Sequence, residues 1–178
     1  MRVVRGSCRK ANGFVTIAGR PVSRRAACGY RACVPDEPLD VETALAGLNR
    51  ALALELRGAV ELTLAAGGAT GISYVGLAAQ YRAWAVDALE DAGRLVDKIV
   101  ALGGAPDGEV AEPVFESDPA KMVERLISSE EEAVEALREI IPATGSEGRG
   151  EALEHLLEHL ILRKQDQADF LRRAVTSS

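Results

Sequence analysis

The chain has 178 residues, of which 47% are hydrophobic and 4% aromatic, and its formal net charge is −6. This length and apolar content suit one domain with a sizeable core and a short extra segment. The first 35 residues contain eight Lys and Arg and no acidic residue, whereas residues 36–178 contain 13 basic and 27 acidic residues, a net of −14. An acidic body argues against nucleic acid as a partner.

Residues 1–37 are basic and show no sustained hydrophobic period, so we expect a disordered leader. All three cysteines, Cys8, Cys28 and Cys33, lie in it at spacings that form no zinc motif. It is either a targeting segment of the transit-peptide kind or an extension from a mis-assigned start. The absence of a run of about 20 apolar residues predicts no membrane partner. A body without cysteine fits a reducing compartment, and we expect a cytoplasmic location.

Residues 38–175 are predicted to form four long helices, of which the first two are separated by a short link. Asp40 is placed to cap the first helix, and Gly67-Gly68 to end it. Apolar residues then recur at helical spacing from near Ser73 to Gly103-Gly104, which indicates the second helix.

The next connection, residues 103–117, is rich in Gly and Pro and too long for a tight link between antiparallel neighbours, which takes about 2–8 residues. The third helix follows Asp118-Pro119 and stops at Pro142, and Ser146 is placed to cap the fourth. Short, long and short links between long helices predict an all-α antiparallel four-helix bundle with a long crossover between the second and third helices.

Each predicted helix has a polar or charged residue in the middle of its apolar stripe. A buried carboxylate is costly unless it is paired with a cation or bound to a metal, and di-metal proteins pool carboxylates inside such bundles. These inward polar residues are Glu55, Asp91, Glu130, Lys164 and Gln167.

Four segments resemble the helices of bacterioferritins, which belong to the ferritin-like superfamily. They are residues 48–56 (LNRALALEL), residues 97–106 (DKIVALGGAP), Glu130 followed by residues 137–139 (LRE), and residues 167–171 (QADFL). The resemblance covers residues 40–174 and implies a ferritin-like fold. It also implies that Glu55 and Glu130 occupy positions where the family has di-iron ligands.

The chain departs from this family at the two Glu-x-x-His pairs that complete the di-iron centre. In the second helix the pair falls on Ala88 and Asp91, and in the fourth on Lys164 and Gln167. The family's heme-binding Met falls at about Leu89. The resemblance therefore implies a degenerate di-iron site, no ferroxidase centre of the usual kind and no heme.

Two functions remain open at this point. In the first, Lys164 supplies the cation for Glu55 and Glu130, Lys98 balances Asp91, and Gln167 donates to a remaining carboxylate oxygen. The chain is then a structural or interaction module with a buried lysine–carboxylate network, no catalytic residue and no cofactor.

In the second, a single Fe or Mn ion is held by a reduced carboxylate site in a bacterioferritin-like iron storage or oxidation protein, and ferroxidase-type activity is expected only there. Its three metal ligands would be Glu55, Asp91 and Glu130.

The resemblance also implies a homodimer or a higher homo-oligomer, because cages of this family pair subunits through the outer faces of the first two helices. His155 and His159, four residues apart, are expected on the surface or in a subunit contact. The apolar residues expected on the outer face of the first two helices are Leu54, Ala65, Val75, Leu89 and Val96.

Overall fold

The computed structural model describes residues 37–176, so the basic leader, its three cysteines and the last two residues lie outside the described range. The described residues contain helices and no strand, and two 3₁₀ turns at Val75–Leu77 and Ile141–Ala143. The predicted all-α class is confirmed. In this part of the chain no helix has the length and apolarity needed to cross a membrane. The helices are α1 (Val41–Gly68), α2 (Ala78–Ala101), α3 (Pro119–Arg138) and α4 (Gly148–Thr176).

Two of the predicted helix starts are confirmed by capping hydrogen bonds. Asp40 Oδ1 accepts the Thr43 N–H at 3.2 Å at the start of α1. Asp118 Oδ1 accepts the Ala120 N–H at 2.9 Å, with Pro119 as the first residue of α3. Each cap satisfies a backbone donor that the first helical turn leaves without a partner.

The other two helix starts differ from the sequence prediction. α2 begins at Ala78 rather than near Ser73, because the 3₁₀ turn Val75–Leu77 precedes it. Ser146 does not cap α4, which begins at Gly148. The Ser146 hydroxyl oxygen accepts the Glu37 N–H at 2.8 Å, and the Ser146 N–H donates to the Glu37 carbonyl at 2.8 Å. The residue pair ties the segment before α1 to the turn between α3 and α4.

The helices form the predicted antiparallel bundle. α1 packs along α2, α3 packs along α4, and α1 also contacts α3. Arg57 of α1 pairs with Glu132 of α3 at 2.7 Å. On the opposite side of the bundle, the rings of Trp84 in α2 and Phe170 in α4 meet edge to face, with centroids 5.3 Å apart.

The predicted long crossover, residues 102–118, runs along the outside of α1. The Asp107 N–H donates to Asn49 Oδ1 at 2.7 Å, and the Ala111 N–H donates to the Ala53 carbonyl at 3.2 Å. Further on, the Val114 N–H donates to Glu61 Oε1 at 2.9 Å. The chain therefore travels the length of α1 before it begins α3.

The core has two large apolar clusters separated along the bundle by a polar layer, and a small third cluster between α1 and α3. One large cluster includes Leu48, Leu95 and Leu157, and the other large cluster includes Leu62, Trp84 and Leu126. Along each helix the inward polar residue lies between the members of the two clusters. The charged groups are therefore enclosed by apolar packing on both sides, where an unpaired charge is expensive.

The outer face of α1 and α2 differs from the prediction at two positions. Leu54 is buried against Ala133 and Ala136 of α3, and Ala65 is buried in the cluster that contains Trp84. Both face the interior because α3 and α2 lie on either side of α1. Of the other residues predicted on this outer face, Val75 and Leu89 are exposed, and Val96 is half-buried against the core.

Candidate functional site

The buried lysine of α4 lies between two glutamates from different helices. Lys164 Nζ is 2.9 Å from Glu55 Oε2 of α1 and 3.0 Å from Glu130 Oε2 of α3. Relative exposures of the three residues are 3%, 1% and 2%. The structure thus brings together three of the five inward polar residues in one ion cluster, at the level where the two apolar clusters meet.

The cluster has one ammonium for two carboxylates, and its titration reflects that imbalance. Burial raises the pKa of Glu55 to about 7, although Lys164 opposes the increase. Burial lowers the pKa of Lys164, but Glu130 and Glu55 raise it by more, so the net shift is upward. Lys164 is therefore charged at neutral pH, whereas Glu55 gains or loses its proton there.

Glu55 is the least well satisfied member of the cluster. Its contact with Lys164 is an ion pair at 2.9 Å, and neither of its oxygens accepts a hydrogen bond of good geometry from residues 37–176. A buried oxygen without a hydrogen bond favours the neutral acid. This agrees with the direction of its pKa shift.

Asp91 of α2 is paired with two arginines. The sequence had suggested Lys98 as its partner. Arg163 Nη1 lies 2.9 Å from both Asp91 oxygens, and Arg94 Nη1 lies 3.3 Å from Oδ1. Burial still raises the pKa of Asp91, against the effects of Arg163, Arg94 and Lys164. Arg163 precedes Lys164 on α4 and lies on the side of α4 that faces α2. It is therefore the residue of α4 that pairs with Asp91.

Gln167 is buried at 6% exposure but is not part of the cluster. It does not donate to either Glu55 oxygen or to Glu130 Oε2, which have no hydrogen-bond partner in the described range, so the predicted bond to one of these carboxylate oxygens is not formed there. Its side chain lines a groove between α2 and α4.

The residues present do not fit a di-iron centre. Lys164 places a positive charge between the two glutamates, where a dication would have to bind, and Asp91 is already held by Arg163. Across residues 37–176, no three His, Cys, Asp or Glu side chains are grouped so that they could hold a metal ion. The proposed metal set of Glu55, Asp91 and Glu130 stays a prediction that metal analysis can test.

One further buried carboxylate, in addition to Glu55, Asp91 and Glu130, was missed by the sequence analysis. Glu61 of α1 is 0% exposed and accepts hydrogen bonds from Arg125 Nη2 at 2.9 Å, from the Val114 N–H at 2.9 Å and from the Ser129 hydroxyl. Glu61 lies outside the apolar stripe of α1, on a face that α3 and the crossover cover. The available signal was the four-residue spacing of Arg125 and Ser129 on α3, which matches one helix face.

His155 and His159 are both exposed on α4, as expected for surface residues. His155 Nδ1 lies 3.4 Å from Glu158 Oε2, and His159 Nε2 lies 3.4 Å from Arg163 Nη2. The two rings have different neighbours, and neither belongs to the buried cluster.

A family model described as a ferritin-like domain matches residues 45–177, most of the chain. The chain belongs to the ferritin-like family. No curated protein matches the sequence of this ferritin-like protein significantly.

Solved structures give the same fold. The ferritin-like bundle is similar to Rhodobacter capsulatus bacterioferritin, solved with a metal-free dinuclear site and heme iron, at a TM-score of 0.69 and 19% identity over 76% of this chain and 84% of that chain. It is also similar to a ferritin-like diiron-carboxylate protein from Bacillus anthracis, at a TM-score of 0.69 and 24% identity over 76% of this chain and 97% of that chain. These identities support the fold alone.

Proposed function

We propose that this ferritin-like protein is a structural or interaction module in which Lys164 takes the place of a metal ion. The observation that supports the proposal is the position of the Lys164 ammonium, 2.9 Å from Glu55 and 3.0 Å from Glu130. A tethered cation pairs with both inward glutamates without any need for metal loading. The protein then keeps the fold of the family but does no redox chemistry at this position.

Such a cluster contributes more to specificity than to net stability. Removing two carboxylates and an ammonium from water costs several kcal/mol per ion, which their mutual attraction only partly offsets. In return, Lys164 of α4 can meet Glu55 of α1 and Glu130 of α3 only when these helices are in register. We infer that the cluster fixes the helix arrangement of the module.

We further propose that the module forms a homodimer through the outer face of α2. Val86, Leu89 and Val100 are 57%, 55% and 58% exposed on α2, and their separations of three and eleven residues place them on one face of that helix. Val60 and Leu64 of the neighbouring α1 are also exposed. An apolar face of this kind suits a second copy of the same surface, related by a two-fold axis.

The first experiment measures metal bound per chain. The full-length protein is incubated with Fe(II) or Mn(II), freed of excess metal by desalting, and analysed by elemental mass spectrometry. We expect much less than one metal per chain. Lys164→Glu, which replaces the cation by a third carboxylate, is expected to raise metal binding because a dication can then occupy the cluster.

The matched control is Lys121→Glu, which makes the same charge change at an exposed residue of α3. It is expected to leave the metal content unchanged. A stoichiometric metal in the unmodified protein, removed by Glu55→Ala, would contradict the proposal. That result would support the second function, a metal-binding protein of iron storage or oxidation with a reduced carboxylate site.

A further inference from the structure

Tyr81 of α2 has a buried hydroxyl group with no hydrogen-bond partner among the described residues. Outside the ion cluster, the buried side-chain atoms of residues 37–176 that lack such a partner are Arg57 Nε and this hydroxyl oxygen. Arg57 still donates to Glu132 through Nη2, whereas the hydroxyl is the one polar group of a tyrosine side chain. Buried tyrosine hydroxyls normally have a partner, so the structure indicates one from outside the chain.

The Tyr81 side chain, which is 2% exposed, lines a small pocket where three helices end or begin. Ala65 and Gly68 contribute from the end of α1, Tyr74 from the segment before α2, and Met122 from the first turn of α3. The volume of the pocket is about 10 Å³, close to the minimum that one water molecule needs. A larger ligand does not fit.

The last turn of α1 supplies hydrogen-bond acceptors on one side of this pocket. The last four carbonyls of a helix have no N–H partner inside the helix. Within residues 37–176, no backbone N–H from Ala69 onwards donates to a carbonyl of residues 65–68, and the last turn of α1 contains no basic side chain. Because Ala65 and Gly68 line the pocket, acceptors without a donor lie on one side of it and the Tyr81 hydroxyl on another.

The pocket favours a neutral ligand. None of its lining residues, all of which belong to the described range, is charged. Burial raises the pKa of Tyr81 to about 12, and the neighbouring Tyr74 adds to the increase, so the hydroxyl keeps its proton at neutral pH. An ion would leave water without meeting an opposite charge, which is costly, whereas water needs only a donor and acceptors.

We propose that this pocket binds one internal water molecule that joins the end of α1 to α2. The water oxygen accepts the Tyr81 hydroxyl proton, and one water proton is donated to a carbonyl of the last turn of α1. The second water proton is donated to the hydroxyl oxygen of Tyr74, the other tyrosine of the lining. This gives the water about three hydrogen bonds, the usual number for a buried water molecule.

A crystal structure of the full-length protein tests the site directly. We expect electron density for one ordered water at about 2.5–3.0 Å from the Tyr81 hydroxyl oxygen. A well-ordered Tyr81 with no water at hydrogen-bond distance would overturn the proposal. A direct hydrogen bond from this hydroxyl to a protein group would overturn it too, because the water would then have no role.

The sign of the stability change in Tyr81→Phe provides a second test. Removal of the hydroxyl takes one partner from the bound water, so we expect the melting temperature to fall by about 2–4 °C. If the pocket is dry, the variant removes an unpaired buried polar group, and the melting temperature stays unchanged or rises. An unchanged or higher melting temperature, with the helical circular dichroism retained, would therefore contradict the proposal.

Ser128→Ala is the control for loss of a hydroxyl group, because Ser128 is exposed on α3 and lies outside the pocket. Its melting temperature is expected to stay within about 2 °C of that of the unmodified protein. Lys164 does not line the pocket, so the outcome of these tests is independent of the proposed function.

Discussion

Lys164 is the residue on which the polar layer depends. It is the single cation that pairs with both Glu55 and Glu130 in the described structure, and all three side chains are almost fully buried. Its removal leaves two carboxylates in an apolar interior, whereas removal of one glutamate leaves a balanced pair. The protein should therefore tolerate loss of Glu55 far better than loss of Lys164.

Lys164→Met is expected to lower the free energy of unfolding by ~3–5 kcal/mol, because breaking a buried ion cluster leaves uncompensated charge. Urea denaturation followed by circular dichroism measures the change. The exposed control Lys121→Met should remain within about 0.5 kcal/mol of the unmodified protein. Adding Glu55→Gln and Glu130→Gln to Lys164→Met should recover most of the loss. A loss below about 1 kcal/mol for Lys164→Met would show that Lys164 is not buried as described.

The stability of the fold is expected to decrease as the pH rises towards neutrality. Burial raises the pKa of Glu55 from 4.5 to about 7 in the folded chain, so the folded state binds this proton more tightly than the unfolded state does. The free energy of unfolding then falls by on the order of 3 kcal/mol between pH 4.5 and about pH 7. Burial also raises the pKa of Asp91, which acts in the same direction. Lys164 stays protonated throughout this range and adds no slope.

Urea midpoints measured at a series of pH values test this dependence. Glu55→Gln should flatten the slope, because glutamine resembles the protonated acid, while Glu124→Gln on the exposed face of α3 should preserve it. A slope that is unchanged in Glu55→Gln would assign the titration to another group.

At the scale of elements, α1 is the helix that organises its neighbours. It packs against α2 and α3, and the crossover is bonded along its outer side from Asn49 to Glu61. Glu61 joins the crossover to α3 through Arg125 and Ser129. The buried face of α1 is therefore wider than its apolar stripe, and the free surface of the first helix pair lies mainly on α2.

The outer face of α2 supports a prediction about assembly. Leu89→Glu is expected to convert a dimer into a monomer, because it places a charge in the centre of the apolar face formed with Val86 and Val100. Light scattering coupled to size exclusion measures the mass. Leu162→Glu is the matched control, since Leu162 is 57% exposed on α4 and Leu89 is 55% exposed on α2. A dimer that survives Leu89→Glu but dissociates with Leu162→Glu would place the interface on α4.

At the scale of the whole molecule, the segment before α1 closes one end of the bundle. The Asp40 N–H donates to the Ala143 carbonyl at 2.9 Å. The Glu37 N–H donates to the Ser146 hydroxyl oxygen, and the Ser146 N–H donates to the Glu37 carbonyl. Gly145 lies beneath this segment with a φ of 65°, and a Cβ there would lie 2.3 Å from the Glu37 carbonyl oxygen. Only glycine fits both the backbone conformation and the space.

Gly145→Ala is therefore expected to lower the free energy of unfolding by about 2 kcal/mol, from left-handed strain and displacement of the segment. Gly148→Ala at the start of α4 is the control, because a Cβ there meets nothing within 4 Å. Thermal unfolding measures the stability of both variants relative to the unmodified protein. Equal stability of the two variants would mean that residues 37–40 do not close the bundle.

The sequence by itself determined the helix count, the long crossover, the caps at Asp40 and Asp118, and the identity of the inward polar residues. These follow from local rules, since periodicity and capping depend on residues a few positions apart. It could not assign partners to those residues. Arg163 rather than Lys98 neutralises Asp91, and Ser146 binds Glu37 instead of capping α4, because such contacts join elements far apart in the chain.

Tertiary structure alone decided how much of each helix is covered. Leu54, Ala65 and Glu61 lie outside or at the border of the α1 stripe, yet all three are buried because α2, α3 and the crossover surround that helix. Periodicity gives the direction in which a side chain points, but burial depends on what packs there, and packing is a property of the whole chain.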